Sequence, residues 1–256
     1  MKAAYCVGFD YASYGHGYAV HRRTEPRIAA ELHRALGSSR TVLNVGAGTG
    51  SYEPEDRYVL AVEPSAAMRA HRPGGQVPAI AAVAEDLPID DGQVDASMAV
   101  LTVHHWSDPE KGLREMRRVT RDRVLVLTID AQALDRFWLA DYAPEVIAGA
   151  RKRFPDIERV CSVLGGQCQV RDIPIPADCA DGFAAACYAR PEAFLDPAVR
   201  QAQSCWGALT AAEEDRAIGR LRTDLESGEW DRRYESWRAM KRYEGVLKLI
   251  VARPGT

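Results

Sequence analysis

The sequence predicts an α/β fold: a mostly parallel sheet of seven strands, with a helical lid inserted between the last two. Three observations carry this reading. Through the first half, short apolar runs alternate with helical patterns, as βα units on a parallel sheet require. After residue 176 the chain reads instead as consecutive helices. A last apolar run, GVLKLIVARP, returns to a strand.

The elements follow in order. TEPRIAAELHRALG is a helix in which Thr24 can cap the start, Ile28, Leu32 and Leu36 form an apolar stripe, and Gly37 ends the pattern. Strands are expected at 41–45, 58–62, 79–83, 96–101 and 123–129, with helices near 64–71 and 109–119. Only SYEPEDR separates Gly50 from the second strand, and Pro54 interrupts it, so a single turn or irregular loop replaces a crossover helix. QVRDIPIP, 169–176, is a strand closed by prolines. Helices at 191–206, 211–227 and 230–241 follow, then the strand at 246–252. The expected division is a core of 1–176 with 246–256, and a helical insertion of 177–245.

Composition narrows the function. With 256 residues, 46% of them apolar and a net charge of -3, the chain suits one large domain and has no basic field for nucleic acid. No apolar run nears the roughly 20 residues a membrane span needs. The opening MKAAYCVGFDYASYGHGY lacks a signal-peptide core, so a cytoplasmic location is expected. The six cysteines form no CxxC pair and read as free thiols.

The most informative stretch is TVLNVGAGTGSYEPEDRYVLAVEPSAAM. A strand breaks into Gly46, Gly48 and Gly50, and the next strand ends on Glu63. Glycines at such a turn let a ligand approach bare backbone, where a Cβ would occupy its volume. A carboxylate ending the next strand can accept hydrogen bonds from ribose hydroxyls. The spacing is GxGxG rather than the GxGxxG of dinucleotide sites, and Pro54 spoils the helix start that would receive a pyrophosphate. A nucleoside without phosphates fits better.

VLNVGAGTG, LAVEPSAAM and AEDLPIDDGQVDASMAVLTVHHW, in that order, resemble the class I S-adenosylmethionine-dependent methyltransferases, small-molecule branch. The resemblance spans about residues 14–129 and implies a Rossmann-like, doubly wound sheet and S-adenosyl-L-methionine as cofactor. On these residues it implies Gly46, Ala47, Gly48 and Gly50 under the methionine part, with Asn44 where the family usually has Asp. Glu63 would hold the ribose, Pro64 and Met68 would border the adenine, and Ala84 and Glu85 would meet its amino edge. Val100 and Leu101 would offer backbone carbonyl to the ammonium. Tyr14, Tyr18, Arg22 and Arg23 lie in the segment where relatives supply a covering tyrosine and an arginine for the carboxylate; Tyr14 and Arg23 are preferred.

His104 and His105 leave the fourth strand where the methyl group should sit, and imidazole can take a proton near neutral pH. The alternative is that one packs under the lid and the other caps the next helix, a place Ser107 or Asp108 would fill equally well. Tyr18, Trp106 and Trp138 are candidates to touch the acceptor. The expected partner is a small, partly apolar molecule, not nucleic acid or membrane, with a homodimer left open. A cofactor-binding protein of the same fold without methylating activity is the competing reading.

Overall fold

The computed structural model describes residues 21–254. Helix α1 (Pro26–Ala35) leads into strand β1 (Thr41–Val45), and β2 (Tyr58–Val62) lies parallel to it. Glu25, not Thr24, caps α1: its carboxylate accepts the Arg27 amide, and Pro26 occupies the first turn, where its missing N–H leaves no bond unmade. The hydroxyl of Thr24 instead accepts the amide of Tyr52 at 3.0 Å. Ile28, Leu32 and Leu36 form the buried stripe, and Gly37 ends the helix at φ +56°.

Between β1 and β2 the chain makes only turns, as the short connection with Pro54 requires. Without a crossover helix, one face of β2 has no cover, and Tyr58 and Leu60 remain exposed there. Helix α2 (Ala66–Ala70) and the short β3 (Ala79–Ile80) follow. The third strand is shorter than the expected 79–83 because the chain turns at once, Ala82 N–H donating to Ile80 O.

Strand β4 (Val94–Val100), helix α3 (Pro109–Val119) and strand β5 (Thr120–Ile129) complete the parallel part. Asp108 caps α3 through the Lys111 amide. Helices α4 (Leu139–Tyr142), α5 (Pro144–Arg153) and α6 (Ile157–Leu164) come next; α5 and α6 were not expected from the sequence. The expected strand 169–176 divides into β6 (Gln167–Asp172) and β7 (Ile175–Pro176), parted at Pro174, which has no ladder N–H to give.

The expected helix 191–206 is likewise broken. Arg190 and Asp196 are non-helical, Pro191 and Pro197 each restart the chain, and only α7 (Pro197–Gln201) is α-helical, flanked by 3-10 turns. Helix α8 (Ala211–Glu226) carries a full capping box from Thr210 and Glu213. Helix α9 (Glu229–Ala239) is kinked at Tyr234. The short β8 (Arg242–Tyr243) pairs antiparallel with β7 across the insertion, and β9 (Leu247–Arg253) returns to the main sheet.

The seven-stranded order is β3-β2-β1-β4-β5-β9-β6, with β9 antiparallel to both neighbours. The order reverses between β1 and β4, which opens a crevice at the carboxyl ends of those strands. One hydrophobic cluster joins α1 and the sheet to the helices of 177–245; a second packs α3 and α6 on the opposite face.

Candidate functional site

The start of the glycine turn at the end of β1 is held by backbone hydrogen bonds. Gly46 and Ala47 both donate to Val62 O, at 2.9 and 3.0 Å, which fastens the turn to the end of β2. Gly46, Gly48 and Gly50 have φ of +70°, +53° and +93°, a region closed to most side chains. The expected reason for these glycines needs correcting at two of them. A Cβ at Gly46 would strike Thr102 Oγ1 at 2.3 Å, and one at Gly50 would strike Gln76 Oε1 at 1.7 Å. The protein's own side chains fill that space. At Gly48 the nearest atom is Met68 Cε at 3.4 Å, so this glycine alone keeps the approach open.

Glu63 closes the turn from the other side. Its two carboxylate oxygens accept Gly48 N–H and Ser65 N–H, each at 2.8 Å. Burial raises its pKa, against the pull of those amides and of Arg69 and Arg72. Each oxygen keeps a lone pair for a hydroxyl donor, so the acceptor chemistry expected for a ribose is present. Pro64 O and Glu63 O both accept from Arg69.

Asn44 braces the loop instead of lining it. Its amide donates to Glu53 Oε1 at 3.0 Å, and Glu53 takes a two-pronged ion pair from Arg72, at 2.9 and 2.8 Å. The strand's amide thus meets a carboxylate nine positions onward, which a nearly buried arginine neutralises. Ala84 is buried, while Glu85 accepts Ser107 Oγ–H and Asp108 N–H, tying its segment to the start of α3.

At the end of β4, half-buried Val100 precedes Leu101, which sits at φ +50° with its N–H on Leu127 O. A leucine in the left-handed region is strained by about 1–2 kcal/mol, and such strain gathers at functional edges. The chain then makes a 3-10 turn, Val103–His105.

Leu101, His104 and His105 open onto a partly open cavity. Ile129 at the end of β5 with Leu134 and Phe137 beyond it, Arg153 at the end of α5 with Phe154 next to it, and Phe183, Gln203 and Cys205 from the insertion complete most of its wall. The His104 ring lies 3.9 Å from that of His105 and 4.1 Å from that of Phe154. Burial drives the His104 pKa well below the usual imidazole value, with help from His105 and Arg153. Burial first, then Arg153 and Arg22, lowers that of His105 to about 3. Both rings are neutral at pH 7. His104 Nδ1 is buried with no hydrogen-bond partner among the described residues, so no described carboxylate backs that nitrogen as one would back a catalytic base.

Other expected contacts fall elsewhere. Trp106 packs its ring over Gly112 of α3, where a Cβ would lie 2.5 Å from it, and Trp138 is core, donating to Tyr188 O at 2.7 Å. Neither lines the cavity. Arg23 is exposed, whereas Arg22 lines the cavity and pairs with Asp181 at 2.7 Å. Tyr14 and Tyr18 lie outside the described residues. Sequence reasoning missed Arg153, Phe154 and Gln203, since α5 was not expected and the helix around 203 is broken; Gly182 in DCADGF was the one signal nearby.

Residues 43–128 match the methyltransferase domain family. The chain carries a class I S-adenosylmethionine-dependent methyltransferase domain. Its cofactor is S-adenosylmethionine, and the turn at Gly48, the lone pairs of Glu63 and the crevice beside Leu101 suit that nucleoside. The domain is 34% identical over 119 residues to an uncharacterised methyltransferase of Mycobacterium tuberculosis, covering 43% of this chain and 48% of that one. The match thus spans about half the length of that relative.

A solved structure from Anabaena variabilis, described as a methyltransferase of an antibiotic biosynthesis pathway, superposes with a TM-score of 0.86 at 29% identity, over 91% of this chain and 99% of that one. The [4+2]-cyclase SpnF shares the fold of the methyltransferase domain, with a TM-score of 0.53 at 14% identity, over 95% and 91% of the two chains. Among the described residues the five cysteines are free and no His, Cys, Asp and Glu group could hold a metal. No described helix is long and apolar enough to cross a membrane.

Proposed function

We propose that this chain transfers a methyl group from S-adenosylmethionine to a small, partly apolar molecule bound in the cavity beside Leu101. One observation carries the reading: the cavity begins at the strained residue that follows β4, on the same sheet edge as the glycine turn. When bound, the cofactor supplies an electrophilic methyl group. The chain's part is to align an acceptor atom with it and exclude water, which can account for much of the acceleration of a displacement. Ala47 and Gly48, with Glu63, Pro64 and Met68, would hold the nucleoside, with Ala84, Glu85 and Val100 at its edges. Arg22 replaces Arg23 as the arginine proposed for the carboxylate.

The insertion 177–245 acts in this reading as a lid, supported by Phe183, Gln203 and Cys205 in the cavity wall. His104 and His105 serve as neutral hydrogen-bonding walls rather than as bases, because their conjugate acids are too strong to form at pH 7. The pathway described for the Anabaena protein supports a specialised metabolite as acceptor. Release of S-adenosylhomocysteine from the purified chain with a panel of small acceptors tests the proposal. Turnover of an acceptor with no such release would favour the non-methylating alternative.

A further inference from the structure

The cavity contains a positive charge that no described carboxylate neutralises. Arg153, the last residue of α5, sends Nε to Gly149 O at 3.4 Å and Nη1 to Ser204 O at 3.3 Å. Both are long bonds to neutral carbonyls, and among the described residues no carboxylate pairs with this guanidinium. The second cation, Arg22, is offset by Asp181. Among the described residues no Asp or Glu lines the cavity, whose remaining wall is mostly apolar, with Val146, Ile147, Phe154 and Phe183 prominent.

A second observation points the same way. Gln203 is only 3% exposed; its amide N–H donates to Gly182 O at 3.0 Å, and its Oε1 has no partner. A buried acceptor left unsatisfied is costly, and a charge in apolar surroundings more so. Both penalties vanish when one ligand supplies an anion and a donor. The single unmatched cation calls for a monoanion, and a carboxylate fits the planar guanidinium fork.

We propose that the acceptor is an amphiphilic organic acid, its carboxylate held by Arg153, its apolar body against Phe154 and Phe183, and an O–H or N–H on it donating to Gln203 Oε1. The positive field that helps keep His104 and His105 neutral favours the ionised acid, so the acceptor arrives without needing a base for its carboxyl proton. The word acceptor rests on the methyl-transfer reading; the binding of the acid does not.

The test is calorimetry on the S-adenosylhomocysteine-loaded protein with matched probes: 3-phenylpropanoate against 3-phenylpropanamide, indole-3-acetate against indole-3-acetamide, and decanoate against decanamide. In at least one pair the acid binds about tenfold tighter or more, as a charge-assisted bond to a guanidinium implies. Arg153→Gln brings the pair to near parity, Arg153→Lys keeps much of the preference, and both variants bind S-adenosylhomocysteine as the parent does. Equal binding of acid and amide throughout, a preference that survives Arg153→Gln, or no binding by any probe overturns the proposal. Failure of S-adenosylhomocysteine to bind would instead count against the methyl-transfer reading, and the acid and amide are then compared on the chain alone.

Discussion

The hydroxyl of Tyr52, in the glycine turn, donates to Asp181 Oδ2 in the insertion at 2.9 Å, across 129 positions of sequence. Asp181 also accepts from Arg22, and the Tyr52 hydroxyl accepts the amide of Glu25. The cofactor turn, the cavity arginine and the insertion are therefore held by one buried carboxylate. Burial and the Asp181 charge raise the tyrosine pKa, so it remains a donor at any working pH. Tyr52→Phe removes one of the two donors and leaves the carboxylate buried. The expected loss is about 2 kcal/mol, as for a hydrogen bond to a charged group. Urea unfolding reads it as a lower midpoint at an unchanged slope; a midpoint equal to the parent's would mean that this link adds nothing.

Glu25 ties the same corner, accepting the amide of Ala180 at 2.9 Å as well as Arg27. The Arg27 side chain, with the Ala180 and Arg27 amides, lowers its pKa to about 2 against the opposing effect of burial. For a carboxylate with a depressed folded pKa, the stabilisation is complete above the unfolded value of 4.5 and is lost as pH falls toward about 2. Glu25→Gln should flatten the acid side of the stability curve in that window and leave the neutral side parallel to the parent. Thermal melts between about pH 2 and 7 measure it.

Much of the fold was legible because periodicity and punctuation agreed. The stripe of Ile28, Leu32 and Leu36 and the apolar runs of β1 and β2 are local signals that tertiary packing did not override. What stayed hidden was decided by contacts distant in sequence. Trp138 reads as a ligand-facing ring only until Tyr188 O takes its N–H, and the choice between Arg22 and Arg23 depends on Asp181. The reason for Gly46 lies in Thr102, and the consequence of Asn44 lies in Glu53. None of these partners is marked by spacing. Arg153 illustrates a different limit: an arginine ending a helix usually offsets the helix dipole, and only the cavity gives it another role.

Gly46→Ala tests the turn in two parts. The new Cβ meets Thr102 Oγ1, and φ of +70° adds strain even in open space. The variant should lose about 2–3 kcal/mol, more than the roughly 1 kcal/mol for left-handed backbone alone. In a Thr102→Ala background the same change should cost less, since Oγ1 and Cγ2 are gone, yet not zero, since the dihedral remains. Urea unfolding of the four proteins gives the coupling. Identical costs in both backgrounds would show that the clash relaxes elsewhere.

Glu63 sets cofactor affinity against stability. Its folded pKa is raised, so between the unfolded and folded values the native state binds the extra proton. Stability then falls as pH rises through that window, and the ionised group is a cost at neutral pH. Glu63→Gln should keep stability within about 1 kcal/mol, because one amide bond is lost as the desolvation penalty is relieved. It should weaken S-adenosylhomocysteine binding about tenfold or more. In the parent, affinity should decline on acidification beginning above pH 4.5. Calorimetry across that range and a melt at pH 7 separate the two effects.

The histidines give the sharpest pH prediction. His105 has a folded pKa near 3 against 6.5 unfolded, and His104 is also well below 6.5. With lowered values the unfolded chain binds protons that the native state refuses, so stability is whole above 6.5 and is lost as pH falls toward about 3. His105→Phe should reduce that acid sensitivity, seen as a shallower fall of melting temperature below pH 6.5. Since neither ring changes charge between about pH 6 and 8, kcat/KM for a non-titrating acceptor should be level across that range. His104→Phe should raise KM more than it lowers kcat, because it removes a cavity wall and not a base. An inflection near neutral pH that disappears in either variant would restore the histidine to proton transfer.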